Sequence, residues 1–159
     1  MKQITVAVIG GGNRGRTYTD SMKELGKDYY DVIAICDPDI NMINQFKDKH
    51  DIKDEMCFTD YNDFFKKGKI ADCVLVATMD DLHIDPALKA IELGYDILLE
   101  KPVCPNAEDC VKIANAAKEK GVKIFHDPIM GEKCHLYWGI GNEVAQIHKE
   151  LLPLTDYTF

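Results

Sequence analysis

The chain has 159 residues and a formal net charge of −8, from 19 basic and 27 acidic side chains. Because a domain usually takes about 100–200 residues, this length favours one domain, and a hydrophobic content of 46% is enough for a packed core. Such an acidic surface repels nucleic-acid phosphates, so we expect no nucleic-acid partner. We also expect no membrane span, because no apolar run approaches roughly 20 residues and the N-terminus lacks a signal-peptide layout.

The chain has six cysteines, and none of them are spaced as a CxxC pair. Cys36 and Cys73 lie inside apolar runs, which favours buried free thiols in a reducing compartment. The sequence therefore predicts a cytoplasmic protein.

Short apolar runs alternate with helix-length amphipathic stretches along the first four-fifths of the chain. The runs predict strands at 4–9, 32–36, 56–58, 73–77, 96–99 and 122–125. The stretches between them predict helices at 14–26, 39–49, 60–67, 82–93 and 107–120. Gly94 and Gly121 follow the last two helices and suit left-handed helix ends. This alternation predicts an α/β fold with a doubly wound parallel sheet.

The alternating rhythm ends at His126, so we predict a domain over 1–126 and an irregular tail over 127–159. Within the tail, Asn142 is a plausible N-cap for a short terminal helix over 142–152. That helix rests on apolar residues at spacings of four, three and four, namely Ile140, Val144, Ile147 and Leu151. A strand over 143–149 is the alternative.

The strongest local motif is a GxGxxG sequence over residues 10–15, placed after the first predicted strand and opening the first predicted helix. Gly10 permits the tight turn, Gly12 leaves room for a pyrophosphate, and Gly15 allows the helix to pack closely on the strand. The helix N-terminus offers unpaired N–H groups to phosphates. Arg14 and Arg16 either assist the phosphates or face solvent. The motif predicts a dinucleotide-binding Rossmann domain.

Asp37 follows the second predicted strand directly. A carboxylate there accepts hydrogen bonds from the ribose hydroxyls of the adenosine and repels a 2′-phosphate, which favours NAD over NADP. The alternative is that 37–39 only caps the next helix, and we assign that capping role to Asp39.

Two further segments end neighbouring predicted strands. Thr78 should border the dinucleotide because ligands of such sheets lie outside the carboxyl ends of the strands. His83 then begins a helix at the same crevice, although an ordinary helix-surface position suits it as well. Glu100 and Lys101 end the fifth strand, where an ammonium can hold a substrate hydroxyl. A surface ion pair before a turn proline is the alternative for this pair.

Taken together, three segments resemble the nucleotide-binding half of the Gfo/Idh/MocA oxidoreductases, the family of glucose–fructose oxidoreductase and inositol 2-dehydrogenase. The resemblance runs from about residue 3 to 126, through GGGNRG, ATMDDLH and ILLEKPVCPNAEDC in that order. One departure is Met79, which stands where the family usually has proline. The resemblance implies a Rossmann sheet, without the family's second α+β domain in this chain.

The resemblance also implies roles for individual residues. The residues implied to line the pyrophosphate are Gly10, Gly12, Asn13 and Arg14. Asp37 is implied to bind the ribose. The residues implied to border the nicotinamide side of the cofactor are Thr78, Asp80, His83 and Glu100. Lys101 is the implied catalytic residue, in contact with the substrate hydroxyl, and the family implies a cis bond between Lys101 and Pro102.

The family's acid/base histidine and its partner aspartate belong to the second domain, and little after His126 resembles that domain. A faint echo over 141–147 is the basis of the strand alternative for the tail. We expect no metal site, because the histidines and the cysteine of the tail have the spacing of no zinc motif.

The main functional hypothesis is an NAD-binding domain of an oxidoreductase that transfers hydride between nicotinamide and a sugar or cyclic polyol. The alternative is a non-catalytic dinucleotide-binding module, either a truncated relative or a sensor. A structural subunit with an empty crevice is a third reading, which the glycine motif and Asp37 disfavour. Because the family's second domain covers part of this one, we also expect a homo-oligomer through the tail or the uncovered sheet face.

Overall fold

A computed structural model of the chain describes residues 2–122, together with the backbone of four short strands at 125–126, 131–132, 135–136 and 157–158. The chain divides into two compact units, Met1–Pro105 and Asn106–Phe159. The predicted boundary after residue 126 stays a prediction.

The first unit is built on a five-stranded parallel sheet. Its strands are β1 (Ile4–Ile9), β2 (Tyr30–Cys36), β3 (Cys57–Phe58), β4 (Cys73–Val76) and β5 (Asp96–Leu99). Their order is β3-β2-β1-β4-β5, and every neighbouring pair is parallel. The chain thus moves outward from β1 to β3 and then returns to the other side of β1. This reversal creates a topological switch point between β1 and β4, where α/β sheets bind ligands.

Four helices connect these strands, and a fifth belongs to the second unit. They are α1 (Asn13–Leu25), α2 (Ile40–His50), α3 (Tyr61–Phe65), α4 (Ile84–Glu92) and, in the second unit, α5 (Ala107–Lys120). All five lie within two residues of their predicted bounds. Asp39 caps α2 as predicted, accepting a hydrogen bond from the Asn41 amide. Gly94 and Gly121 have φ angles of +73° and +69°, which confirms the predicted left-handed helix ends.

Helices cover both faces of the sheet, as a doubly wound fold requires. Along β1, Val6 and Val8 face one hydrophobic cluster while Ala7 and Ile9 face another. Phe46 of α2 packs into the first cluster, whereas the second takes in side chains from α3 and α4, namely Phe64, Phe65 and Ala90. The near-continuous apolar runs of the sequence reflect this double coverage.

The second unit contains α5 and two small sheets. In one sheet β6 (Phe125–His126) runs parallel to β9 (Tyr157–Thr158), and in the other β7 (Gly131–Glu132) runs antiparallel to β8 (His135–Leu136). The strand predicted over 122–125 is described only in part, and its last residue, Phe125, pairs with Tyr157 rather than joining the five-stranded sheet. The helix predicted over 142–152 and its strand alternative lie outside the described residues.

Two cysteines of the sheet are free thiols in apolar surroundings. Cys36 is 3% exposed, and burial raises its pKa to about 12. Cys73 is partly buried, and burial raises its pKa to about 11. Both thiols are therefore neutral and unreactive at physiological pH. In the part of the chain that the structure describes, no helix has the length and apolarity to cross a membrane.

Candidate dinucleotide-binding site

Three strands of the sheet meet at Gly10, the residue that follows β1. Its amide donates a hydrogen bond to the Cys36 carbonyl at the end of β2, at 2.9 Å. Its φ angle is +94°, and a Cβ atom there would lie 2.5 Å from the Ala77 carbonyl oxygen after β4. At the start of α1, a Cβ on Gly15 would lie 2.2 Å from the Gly10 carbonyl oxygen. Both glycines are therefore required by close backbone packing, as the motif predicts.

Gly12 is glycine for a different reason. It precedes α1 with an ordinary φ of −64°, and a Cβ added to it would have no atom within 4 Å. The space beside Gly12 is thus open, and it lies at the N-terminus of α1, where backbone N–H groups lack helical partners. The first turn of α1 carries no acidic residue. This open and electropositive position fits a pyrophosphate, with Asn13 and Arg14 exposed beside it.

The Asp37 carboxylate links the end of β2 to the glycine loop. One oxygen accepts a hydrogen bond from the Gly11 amide at 2.7 Å, and the other accepts one from the Asp39 amide at 2.9 Å. A carboxylate has about four acceptor positions, so two remain for the hydroxyls of a ribose. Asp37 is therefore both part of the loop and able to receive a ligand.

The Glu100 carboxylate is 5% exposed and is held by two side chains of α1. Tyr18 donates a hydrogen bond to Oε2 at 2.7 Å, and Arg14 Nε lies 3.2 Å from Oε1. The hydrogen bond to Glu100, followed by burial, raises the pKa of Tyr18. Glu100 thus joins the end of β5 to the helix that begins at the glycine loop.

The ring of His83 is fully buried between two loops. Its Nδ1 lies 2.8 Å from the Pro102 carbonyl oxygen, and its Nε2 lies 3.2 Å from the Thr78 carbonyl oxygen. Both nitrogens therefore contact backbone acceptors, so the ring connects the loop after β4 to the loop after β5.

The remaining predicted residues lie at the same edge of the sheet with fewer contacts. Lys101 is exposed and forms no hydrogen bond or ion pair with any residue in the range 2–122. The bond between Lys101 and Pro102 is cis, which confirms that prediction. Thr78 is half-buried next to Gly10, whereas Asp80 is exposed in a short 3₁₀ turn and forms no side-chain hydrogen bond or ion pair with another residue in the range 2–122.

Tyr18 is the residue of this edge that sequence reasoning missed. A signal for it was present, because Tyr18 lies four residues after Arg14 and therefore on the same face of α1. The spacing within α1 does not reveal the hydrogen-bond partner of Tyr18, because Glu100 is 82 positions away along the chain.

Comparison with known proteins agrees with this geometry. Residues 4–127 match the sequence profile of the Gfo/Idh/MocA family, described as an oxidoreductase family with an NAD-binding Rossmann fold. The chain belongs to this family and contains its NAD-binding domain.

Two curated relatives and one solved structure illustrate the similarity. Inositol 2-dehydrogenase of Arthrobacter sp. (strain FB24) is 31% identical over 95% of this chain and 44% of its own length. The 2,7-anhydro-N-acetylneuraminate hydratase of Escherichia coli (strain K12) is 40% identical over 43% of this chain and 18% of its own length. The WlbA dehydrogenase from Bordetella pertussis, solved with NADH and UDP-GlcNAcA, shares the fold with a TM-score of 0.70. It is 23% identical and covers 79% of this chain and 36% of its own. The chain spans less than half the length of these relatives.

The two glycine environments generate a testable contrast. Gly12→Ala should leave the free energy of unfolding within about 1 kcal/mol of the parent, since its Cβ enters open space, but should weaken NADH binding at least about tenfold by filling the pyrophosphate position. Gly10→Ala should destabilise the fold by about 2 kcal/mol or more, because it combines a positive φ with a backbone clash. Denaturant unfolding and NADH titration measure the two quantities. Equal loss of stability in both variants would contradict the open space beside Gly12, and unchanged NADH affinity of Gly12→Ala would contradict its assignment to the ligand.

Proposed function

We propose that this domain serves an oxidoreductase that transfers hydride between NAD and a sugar or cyclic polyol. The observation that carries the proposal is an exposed lysine, Lys101, at the same sheet edge as the glycine loop. The relatives support the substrate class, since one is named for inositol and another for an N-acetylneuraminate derivative. Both of those compounds are rings that carry several hydroxyl groups.

NAD, when bound, supplies the ring carbon that accepts the hydride. The chain's own residues bind and orient the cofactor. The pyrophosphate is bound by Gly10, Gly12, Asn13 and Arg14, and the adenosine ribose is bound by Asp37. The nicotinamide side is bordered by Thr78, Asp80, His83 and Glu100. Of these, His83 and Glu100 act indirectly, by holding the neighbouring loops in place. We assign them these indirect roles because the His83 ring is fully buried between backbone carbonyls and the buried Glu100 carboxylate is already held by a hydrogen bond and an ion pair.

Lys101 is the proposed catalytic residue. Its ammonium has no competing carboxylate among residues 2–122 and is free to donate a hydrogen bond to a substrate hydroxyl. A cation at that oxygen favours loss of the hydroxyl proton, which must accompany hydride removal from the carbon. The proton itself needs an acceptor, which the resemblance assigns to a histidine outside this domain.

A dinucleotide-binding module without catalysis is the alternative. It is favoured by one specific observation, namely that no proton acceptor among residues 2–122 forms a hydrogen bond or ion pair with Lys101. Binding and turnover are therefore separate properties of this chain, and they need separate assays.

We further propose a cytoplasmic homo-oligomer. The free thiols of Cys36 and Cys73 support a reducing compartment. The edge strand β5 supports association, because Leu98 is 38% exposed and an edge strand presents unpaired backbone groups. Residues 127–159 are the other proposed contact.

Cofactor preference tests the role of Asp37. NADH should raise the melting temperature and quench Trp138 emission, and NADPH should bind at least about tenfold more weakly because its 2′-phosphate meets the Asp37 carboxylate. Asp37→Asn keeps an acceptor for the Gly11 amide but removes the negative charge. It should therefore reduce the difference between the affinities for NADH and NADPH, chiefly by improving NADPH binding. Asp39→Asn is the matched control, since asparagine caps a helix equally well and should leave the preference unchanged. Equal affinities of the parent chain for NADH and NADPH would contradict the proposal.

Turnover tests the role of Lys101. If the chain reduces NAD with a polyol or sugar, Lys101→Met should lower the rate at least about 100-fold while changing NADH affinity less than about twofold. Lys67→Met removes another exposed lysine and should leave both quantities unchanged. Firm NADH binding with no reduction of NAD across a panel of polyols and sugars would instead favour the non-catalytic module.

Association is tested by light scattering coupled to size-exclusion chromatography. We expect a mass of at least two chains, and we expect a chain ending at residue 126 to lose it if the tail forms the contact. Retention of the oligomer by the shortened chain would assign the contact to the sheet face. A monomeric mass at high concentration would contradict both versions.

A further inference from the structure

The Glu100 carboxylate depends on α1 for its stability. It is 5% exposed, and its two oxygens contact Arg14 and Tyr18, which lie one helical turn apart on the same face of α1. A buried carboxylate that loses a donor becomes costly to keep in place, because the lost hydrogen bond is not replaced by water. The end of β5 is therefore attached to α1 through these three residues, which we call the Arg14–Tyr18–Glu100 cluster.

Arg14 has a second side that is available to a ligand. Its guanidinium group carries five N–H donors, and the ion pair with Glu100 is made at Nε. The Arg14 side chain is 53% exposed and begins two positions after Gly12, beside the open space at the N-terminus of α1. Its outer N–H groups can therefore bind a phosphate oxygen while Nε stays on Glu100.

Glu100 in turn precedes Lys101 directly. The Glu100 amide donates a hydrogen bond to the Val76 carbonyl at 2.9 Å, and the Pro102 carbonyl is held by the His83 ring at 2.8 Å. The backbone of Lys101 thus lies between two fixed points. The Pro102 side is fixed by a fully buried ring, whereas the Glu100 side is held by its backbone bond to Val76 and, in addition, by a carboxylate whose partner Arg14 is half exposed.

We propose that the Arg14–Tyr18–Glu100 cluster couples occupation of the pyrophosphate site to the position of Lys101, with Tyr18 as a positioning residue. An anion bound to the outer N–H groups of Arg14 restricts the guanidinium, which restricts the Glu100 carboxylate and hence the backbone of Lys101. This coupling rests on the proposed pyrophosphate site. Because coupling free energies are reciprocal, loosening of Glu100 also weakens the ordering of Arg14.

The test uses ADP-ribose, which carries the pyrophosphate and both riboses but no nicotinamide. It therefore occupies the α1 end of the site without placing the nicotinamide ring beside Lys101. In the ¹⁵N-labelled full chain, ADP-ribose should shift the Lys101 amide resonance. It should also slow hydrogen exchange of the Glu100 amide at least about threefold more than that of Val8, a β1 amide outside the cluster.

Tyr18→Phe is the decisive variant, since it removes only the hydroxyl group. It should bind ADP-ribose within about twofold of the parent while losing at least about half of the Lys101 response. Tyr29→Phe is the matched control at an exposed tyrosine and should change neither. Glu100→Gln gives a second and independent readout: it should lower the pKa of Tyr18 toward its ordinary value and abolish the Lys101 response.

The outcomes separate the coupling from the binding site. ADP-ribose binding without a response at Lys101 would overturn the coupling and leave the dinucleotide site intact. Failure of the parent chain to bind either ADP-ribose or NAD would overturn the site and the coupling together. A full response in Tyr18→Phe, accompanied only by a lower melting temperature, would show that Tyr18 serves stability alone.

Discussion

The close approach of β1 and β4 just after their carboxyl ends is the constraint on which the rest of the site depends. A Cβ atom on Gly10 would lie 2.5 Å from the Ala77 carbonyl oxygen. Beside this carbonyl the chain turns sharply, and Gly10 has a positive φ. That turn sets the start of α1 and brings the Gly11 amide to the Asp37 carboxylate. The proposed phosphate, ribose and lysine positions thus share one origin, the switch point of a parallel sheet.

Local pattern was enough to predict most of the first unit. Apolar runs covered on both faces marked β1, β2, β4 and β5, and the caps at Asp39 and Gly94 marked helix ends. The close backbone packing at Gly10 and Gly15 also followed from the motif. In contrast, the pairing of Phe125 with Tyr157 had no signal in periodicity, because two-residue strands are too short to show one.

Contacts between distant segments were the part that sequence could not supply. The Glu100–Tyr18 hydrogen bond depends on the register of β1, β4 and β5 rather than on any local spacing. His83 shows the same limit from another side. Its motif predicts a position beside the nicotinamide, but gives no sign of the two backbone carbonyls that the ring contacts. Register and loop geometry decide such roles, and both are properties of the folded sheet.

A chain with a net charge of −8 that binds an anionic cofactor needs a locally positive electrostatic potential at the binding site. Helix α1 provides this potential. The first turn of α1 has no acidic residue, so its N–H groups present their positive end without competition. The Glu100 carboxylate, which lies against α1, is paired with Arg14, so its negative charge is compensated by the guanidinium. Acidic side chains that act on the site across solvent are screened by salt more strongly than these contacts are. Burial of Glu100 thus serves the phosphate end of the site as well as the lysine that follows it.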